Sequence, residues 1–198
     1  MGKLKAIFIM GVLGVSSLSY ANDIYVEQVG SSSTVTITQQ GTGNTVGNST
    51  DSIYIGSGSN TVSIDQIGDS NTLAMVVNGS SANTTVVTTG SGNTQTINCG
   101  TTVSAGCSGS TITQTVTGDD NIITQNLGAG ANHTSNITVT GDTNTVTHTS
   151  TATGTTTMNA TISGNLNTVG VTQSGMTVQN VTINSTGNSN SITVNQSN

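Results

Sequence analysis

The sequence predicts an all-β fold, a β-solenoid of about seven stacked two-stranded coils with a 22–23 residue repeat. Three observations predict it: Gly followed three positions later by Asn recurs along the chain, apolar or Gln residues alternate with Thr and Ser between those pairs, and Pro is absent. The pairs Gly118/Asn121, Gly141/Asn144, Gly164/Asn167 and Gly187/Asn190 are each displaced by 23 residues. Upstream, Gly41/Asn44, Gly68/Asn71 and Gly90/Asn93 bring the units to seven. A fixed period of this size marks stacked repeats, in which each unit buries its apolar face only against its neighbours.

Composition points the same way. The chain is 31% hydrophobic and 5% charged, whereas a globular domain is about 45–50% apolar and about 25% charged, so a thick Leu/Phe core is excluded. Disordered chains are usually rich in charge, Pro, Glu and Lys. Here the polar residues are Thr, Ser, Asn and Gly, and Thr suits a pleated surface.

Residues 1–21 read as a signal peptide: Lys3 and Lys5 precede the apolar run from Ala6 to Val15, and Ser19-Tyr20-Ala21 supplies small residues at the cleavage positions. The run is shorter than the ~20 apolar residues of a transmembrane helix, so export is expected and no membrane span. Residues 22–40 read as N-terminal half-repeats, because Gln28-Val-Gly30 returns eleven residues later as Gln39-Gln-Gly41, flanked by Ile24, Val26, Val35 and Ile37.

From 41 to 198 each unit carries two alternating runs. One set follows the Asn, as in Asn71, Leu73, Met75 and Val77, or Asn121, Ile123, Gln125 and Leu127, or Asn167, Val169, Val171 and Gln173, or Asn190, Ile192, Val194 and Gln196. The other lies half a unit away, as in Ile112, Gln114 and Val116, or Met158, Ala160 and Ile162. A period of two means strand, so each repeat supplies two strands and two turns. Gly-x-x-Asn suits the tight turn, since Gly accepts positive φ and Asn can bond nearby backbone. Asp69, Asp119 and Asp142 follow turn glycines and are expected to support the turn rather than to bind calcium.

Two units are longer, 27 residues from Gly41 to Gly68 and 28 from Gly90 to Gly118. Their insertions, near Asn48 to Ser57 and around Cys99 to Cys107, are expected in loops at the coil edge, because stacked strands lose register if they absorb extra residues. In an exported chain the reading of Cys99 and Cys107 is a small loop disulfide, with unpaired thiols or an intermolecular bridge as alternatives.

Both basic residues lie in the signal peptide, so the remainder has nothing to neutralise phosphates and nucleic-acid binding is excluded. Stacked in register, the turn Asn residues form ladders. Gln28, Gln39, Gln66, Gln114, Gln125 and Gln173 are expected to chain amide hydrogen bonds along the stack. The last half-unit, from Gly187 to Asn198, carries the strand motif to its end with no capping segment, and no Lys or Pro guards the edges. Open ends of this kind predict head-to-tail addition of further copies.

Gln-x-Gly-x-x-Asn followed by alternating residues, as in Gln66-Ile-Gly68-Asp-Ser-Asn71-Thr-Leu73, resembles the repeat of the curlin family over Ile24 to Gln196. The Gln two places before the Gly stands at Gln28, Gln39 and Gln66 and is replaced in the later units, by Thr88 and Ser185 among others. The resemblance implies a structural subunit of extracellular, cell-surface amyloid fibres of biofilm matrix and adhesion. It also implies a nucleating subunit and an outer-membrane secretion channel as partners, and no cofactor.

Two rival readings were weighed. A soluble, Thr-rich, ice-binding β-helix is suggested by Thr34-Val-Thr36-Ile-Thr38, Thr111-Ile-Thr113, Thr138-Val-Thr140 and Thr145-Val-Thr147. Against it, these Thr pairs do not share one phase of the repeat, so exposed strand residues are the expectation. An enzyme on a three-sided β-helix would need converging acids and bases. His133 and His148 are expected in different units, His148 inward at the position of Gln125 and Val171, and the acids are scattered at turns, so no catalytic or metal residue is expected.

Overall fold

The computed structural model describes residues 21–28, 34–47, 53–55, 60–77, 81, 83–99, 111–128 and 132–198. Among these residues there is no helix, and every strand pair is parallel. Residues 1–20, and with them all but the last residue of the expected signal peptide, lie outside the described residues.

The chain alternates between two facing sheets. One holds β3 (Thr34–Gln40), β6 (Thr61–Ile67), β8 (Asn83–Thr89), β10 (Thr111–Thr117), β12 (His133–Thr140), β14 (Thr156–Ser163) and β16 (Gln179–Thr186), stacked in that order. The other holds β1 (Asp23–Ile24) and β2 (Val26–Gln28), then β4 (Thr45–Val46) and β5 (Ile53–Ile55), then β7 (Thr72–Val77), β9 (Thr94–Cys99), β11 (Ile122–Leu127), β13 (Thr145–Ser150), β15 (Thr168–Ser174) and β17 (Ser191–Ser197). Each coil is one strand of each sheet, and six coil-to-coil steps join β3 to β16. This is the expected β-solenoid.

Register explains the alternation. Residues two apart point to the same side of a strand, so the expected sets fall inward together. Asn71, Leu73 and Met75, Ile123 and Leu127, and Met158, Ala160 and Ile162 are all buried. Parallel strands usually have both faces covered, but here Thr and Asn face outward in alternation with the buried residues.

The thin core divides into two apolar clusters. One runs from Val46 to Ile112 and Leu127, with Ile24, Val26, Val35 and Ile37 packed on its end, and the other from Val116 to Ile183, with Ile192 and Val194 at its end. Buried Gln95, Gln114 and Gln125 lie at the boundary. Buried amides there require partners inside the coil.

The first insertion departs from expectation. It falls between Val46 and Ile53, within a strand that it splits into β4 and β5, and not at a coil edge. The break is tolerable because the halves recover the same pairing partner: Val46 meets Leu73 of β7, and Ile55 meets Val77. Gly47, at φ 71°, turns the chain out of the strand. The second insertion does leave from a coil edge, between β9 and β10. Residues 100–110 lie outside the described residues, and with them Cys107, so the Cys99–Cys107 pairing does too.

Candidate functional site

The turn after each strand of the β3-to-β16 sheet is built one way throughout. Gly41, Gly68, Gly90, Gly118, Gly141, Gly164 and Gly187 have φ between 111° and 130°. Each but the last lies so close to the next coil that an added Cβ would clash with the carbonyl of the glycine above. Two residues on, the backbone is left-handed at Gly43, Ser70, Gly92, Asp120, Thr143, Leu166 and Ser189. The sequence does not reveal this second position, because mostly non-glycine residues occupy it.

The turn ends on an asparagine that points inward. Asn44, Asn71, Asn93, Asn121, Asn144 and Asn167 are buried, while Asn190, at the end, is partly exposed. Asn144 is representative. Its backbone N–H and its Nδ2 both donate to Oδ1 of Asn121, at 2.9 and 3.0 Å. Its own Oδ1 accepts from the backbone N–H and Nδ2 of Asn167, at 3.0 and 2.9 Å. Asn121 Nδ2 also donates to the Gly141 carbonyl of the next coil, at 2.8 Å. Each of these side-chain amides thus clamps its coil to the next, and in the Asn-to-Asn bonds the polarity is constant, with Oδ1 facing the C-terminal end.

Asn22 is the first rung and was not legible as one. Its Oδ1 accepts from the Asn44 backbone N–H at 2.9 Å, and its Nδ2 donates to the Gly41 carbonyl at 3.2 Å. Ser19 stands where the motif would place Gly, so only the 22-residue distance to Asn44 signals it.

The acidic residues after the glycines act between coils and not within their own turns. Asp69 Oδ1 accepts from Thr42 N–H at 2.7 Å, Asp119 Oδ1 from Ser91 N–H at 2.7 Å, and Asp142 Oδ1 from Asp119 N–H at 2.9 Å. Asn165 and Asn188 continue this edge ladder.

The glutamines form no common column, so the expected Gln ladder is corrected. Gln39 and Gln66 do stack, Nε2 donating to Oε1 at 2.8 Å. Gln114 faces Val86 and Ile137 in its own sheet, and Gln125 faces Ile97 and His148. Their bonds cross the interior instead: Gln125 Nε2 donates to Gln114 Oε1 at 2.7 Å, Gln114 to Gln95, and Gln95 to the Thr88 hydroxyl. The residues are Gln because the core is narrow enough for an amide to span it. Gln173 Nε2 donates to Gln196 Oε1 at 3.1 Å in the next coil. Gln28 holds the register position opposite Ile55.

The histidines fall in successive Gly-delimited units, on β12 and β13 on either side of the Gly141 turn, and both are buried. His148 does take the column of Gln125 and Val171. Its Nδ1 lies 3.2 Å from Ser135 Oγ and its Nε2 3.0 Å from Gln173 Oε1. Burial lowers its pKa to about 4, opposed by the Gln173 bond and assisted by the charge of His133. Desolvation lowers His133 as well, against the bond to the Gly128 carbonyl. Among the described residues no three His, Cys, Asp or Glu side chains are grouped to hold a metal ion.

The named Thr pairs do not share one phase: Thr111 and Thr113 pair with Thr134 and Asn136, Thr138 and Thr140 pair with Thr115 and Thr117, and Thr145 and Thr147 lie in the other sheet. Register nevertheless aligns other threonines across coils, Thr111, Thr134 and Thr157 in one column, Thr115, Thr138 and Thr161 in a second, and Thr117 and Thr140 in a third.

At the two ends β3 pairs only with β6, β16 only with β14, and β17 only with β15, among the described residues. No helix among the described residues is long and apolar enough to cross a membrane. Comparison with protein-family models, with curated proteins and with solved structures finds no match for this chain.

Proposed function

We propose that this chain is an exported structural subunit, not an enzyme, that stacks head to tail into extracellular amyloid-like fibres. The observation that carries this reading is the pair of open ends. The columns that run through the coil, Asn in the turn and Val and Ile inside, reach both ends, where β3, β16 and β17 leave one edge unpaired among the described residues. Unprotected parallel edges are templates for another copy, and addition of one end to the other generates a filament because it never closes. In-register stacking at about 4.8 Å would extend the amide ladders from copy to copy. The curlin-like motif adds the expectation of a curli-type fibre in biofilm matrix and adhesion, with a nucleating subunit and an outer-membrane secretion channel.

Fibre diffraction of the mature chain tests it, with a 4.7–4.8 Å meridional reflection expected. Gly187→Ala sharpens the test. An added Cβ at Gly187 meets only Asn190 Nδ2, at 3.6 Å, whereas at each equivalent glycine it would meet the next coil. The variant should therefore keep its coils and lose elongation. Elongation at the parental rate would refute stacking at this face.

A second reading is favoured by the Thr columns, hydroxyl and methyl groups repeated from coil to coil on the outward face of one sheet. A soluble ice-binding protein would use that face. A monomer that gives thermal hysteresis and never elongates would establish this reading in place of the first.

A further inference from the structure

Strand parity restricts how two copies can meet. The chain enters and leaves through the same sheet: β1 and β2 lie at one end of it and β17 at the other, while the facing sheet ends on β3 and β16. If β17 of one copy paired directly with β1 and β2 of the next, β16 and β3 would lie two strand spacings apart, about 9.6 Å. One strand position would then stand empty in every junction. If β17 instead occupies the place of β1 and β2 beneath β4 and β5, β16 falls directly below β3 and both sheets continue unbroken.

The residues suit this replacement. Register places Asn22 and Asn190 in one column, and likewise Ile24 with Ile192, Val26 with Val194, and Gln28 with Gln196. The inward-register residues of the first half-coil and of β17 are therefore identical in all four columns. The outward ones differ, Asp23, Tyr25 and Glu27 against Ser191, Thr193 and Asn195. In the facing sheet Val181 shares a column with Val35 and Ile183 with Ile37, so direct contact of β16 with β3 puts like on like.

Two further observations agree. Ser185 Oγ on β16 and Gln39 Oε1 on β3 are both buried without a hydrogen-bond partner, and they share one column. With β16 directly below β3, the Ser185 hydroxyl of one copy can donate to Gln39 Oε1 of the next. The first half-coil is also held over fewer residues: β1 pairs with β4 over two and β2 with β5 over three, joined at Tyr25 by its N–H to the Val46 carbonyl, whereas β17 pairs with β15 over seven.

We propose that residues 22–28 are an internal mimic of β17, a detachable cap that protects the N-terminal end of the monomer and is displaced by β17 of the preceding copy during growth. The inference rests on the fibre reading and adds to it the register of the junction and the segment that must leave. Before addition Asn22 of the cap satisfies the Asn44 backbone N–H, and afterwards Asn190 serves as the rung below Asn44.

Cysteine pairs in the mature chain, with Cys99 and Cys107 replaced by Ala, read the junction directly. Displacement puts Ser191 of one copy opposite Thr45 of the next, so Thr45→Cys with Ser191→Cys should give reducible covalent multimers from oxidised fibres. Simple stacking puts Ser191 opposite Asp23, so covalent multimers from Asp23→Cys with Ser191→Cys would overturn the proposal. Asp23→Cys with Thr45→Cys staples the cap within one chain, since these residues face each other in neighbouring strands. Oxidised before assembly, it should lose elongation and recover it on reduction. Undiminished elongation of the stapled chain would also overturn the proposal, with the fibre reading intact. Absence of the 4.7–4.8 Å reflection from every variant and from the parent would remove the fibre reading itself.

Discussion

Glycine substitutions at three positions separate what the turn requires of its backbone from what the stack requires of its space. Gly141 has φ 118°, and an added Cβ would lie 2.8 Å from the Gly164 carbonyl carbon and closer still to its oxygen. A residue forced into so sparse a region of φ costs about 1–3 kcal/mol, and overpacking against backbone that must shift costs about 1–3 kcal/mol more. Ala recovers about 0.5–1 kcal/mol through the lower entropy of its unfolded chain. Gly141→Ala should therefore destabilise by about 2–5 kcal/mol. Gly187 has φ 111° but open space above it, so Gly187→Ala should cost the backbone term alone, about 1–2 kcal/mol after the same offset. Gly170, inside β15, lacks a positive φ and has nothing within 4 Å of an added Cβ, so Gly170→Ala should be neutral or stabilise by up to about 1 kcal/mol. The assay is urea unfolding of dilute monomer followed by far-ultraviolet circular dichroism, with hydrogen exchange at the Gly164 amide, which donates to the Thr140 carbonyl across the same step, as a local check. Equal effects at Gly141 and Gly187 would show that the clash plays no part. A Gly141→Ala midpoint indistinguishable from the parent's would refute the turn geometry altogether.

Other outcomes follow from the same structure. Asn144→Ala should destabilise by about 2–5 kcal/mol, because it strips the Asn167 backbone N–H and Nδ2 of their acceptor inside the coil; a shift below about 1 kcal/mol in urea titrations would contradict the ladder. Thr143→Gly should stabilise by about 1 kcal/mol, since a β-branched residue sits there at φ 58°, and a fall in the thermal midpoint would count against it. His148 titrates at about 4 when buried against an ordinary 6.5. A base whose folded pKa is lowered contributes stability that is full above about pH 6.5 and is lost as pH falls towards 4, here about 3 kcal/mol. Urea midpoints measured across that window should fall for the parent and fall much less for His148→Gln, while an unchanged slope would place the proton elsewhere.

The histidine pair shows what a unit-by-unit reading leaves out. His133 and His148 fall in successive Gly-to-Gly units, yet they lie on β12 and β13 on either side of one turn, and the charge of His133 acts on His148. The phase of the repeat was legible, but closeness across a unit boundary was not, because a periodic sequence has no preferred starting point. Asn22 escaped notice for a related reason, as its rung lacks the glycine that marks the others.

The alternation of Val and Ile with Thr, the Gly/Asn period and the absence of Pro were enough by themselves to determine an all-β solenoid, its two strands per coil, and which residues of Ile123, Met158 or Val169 type face inward, because period-two alternation and turn chemistry are local properties. Other features were decided only by coil-to-coil register. These include the crossing of Gln125, Gln114 and Gln95 through the core, the splitting of a strand into β4 and β5, and the shared columns of Asn22 to Gln28 with Asn190 to Gln196. Each of them joins residues whose separation along the chain varies with the insertions between them. Backbone pairing across coils fixes such neighbours, and a single strand carries no record of which strand will lie above it.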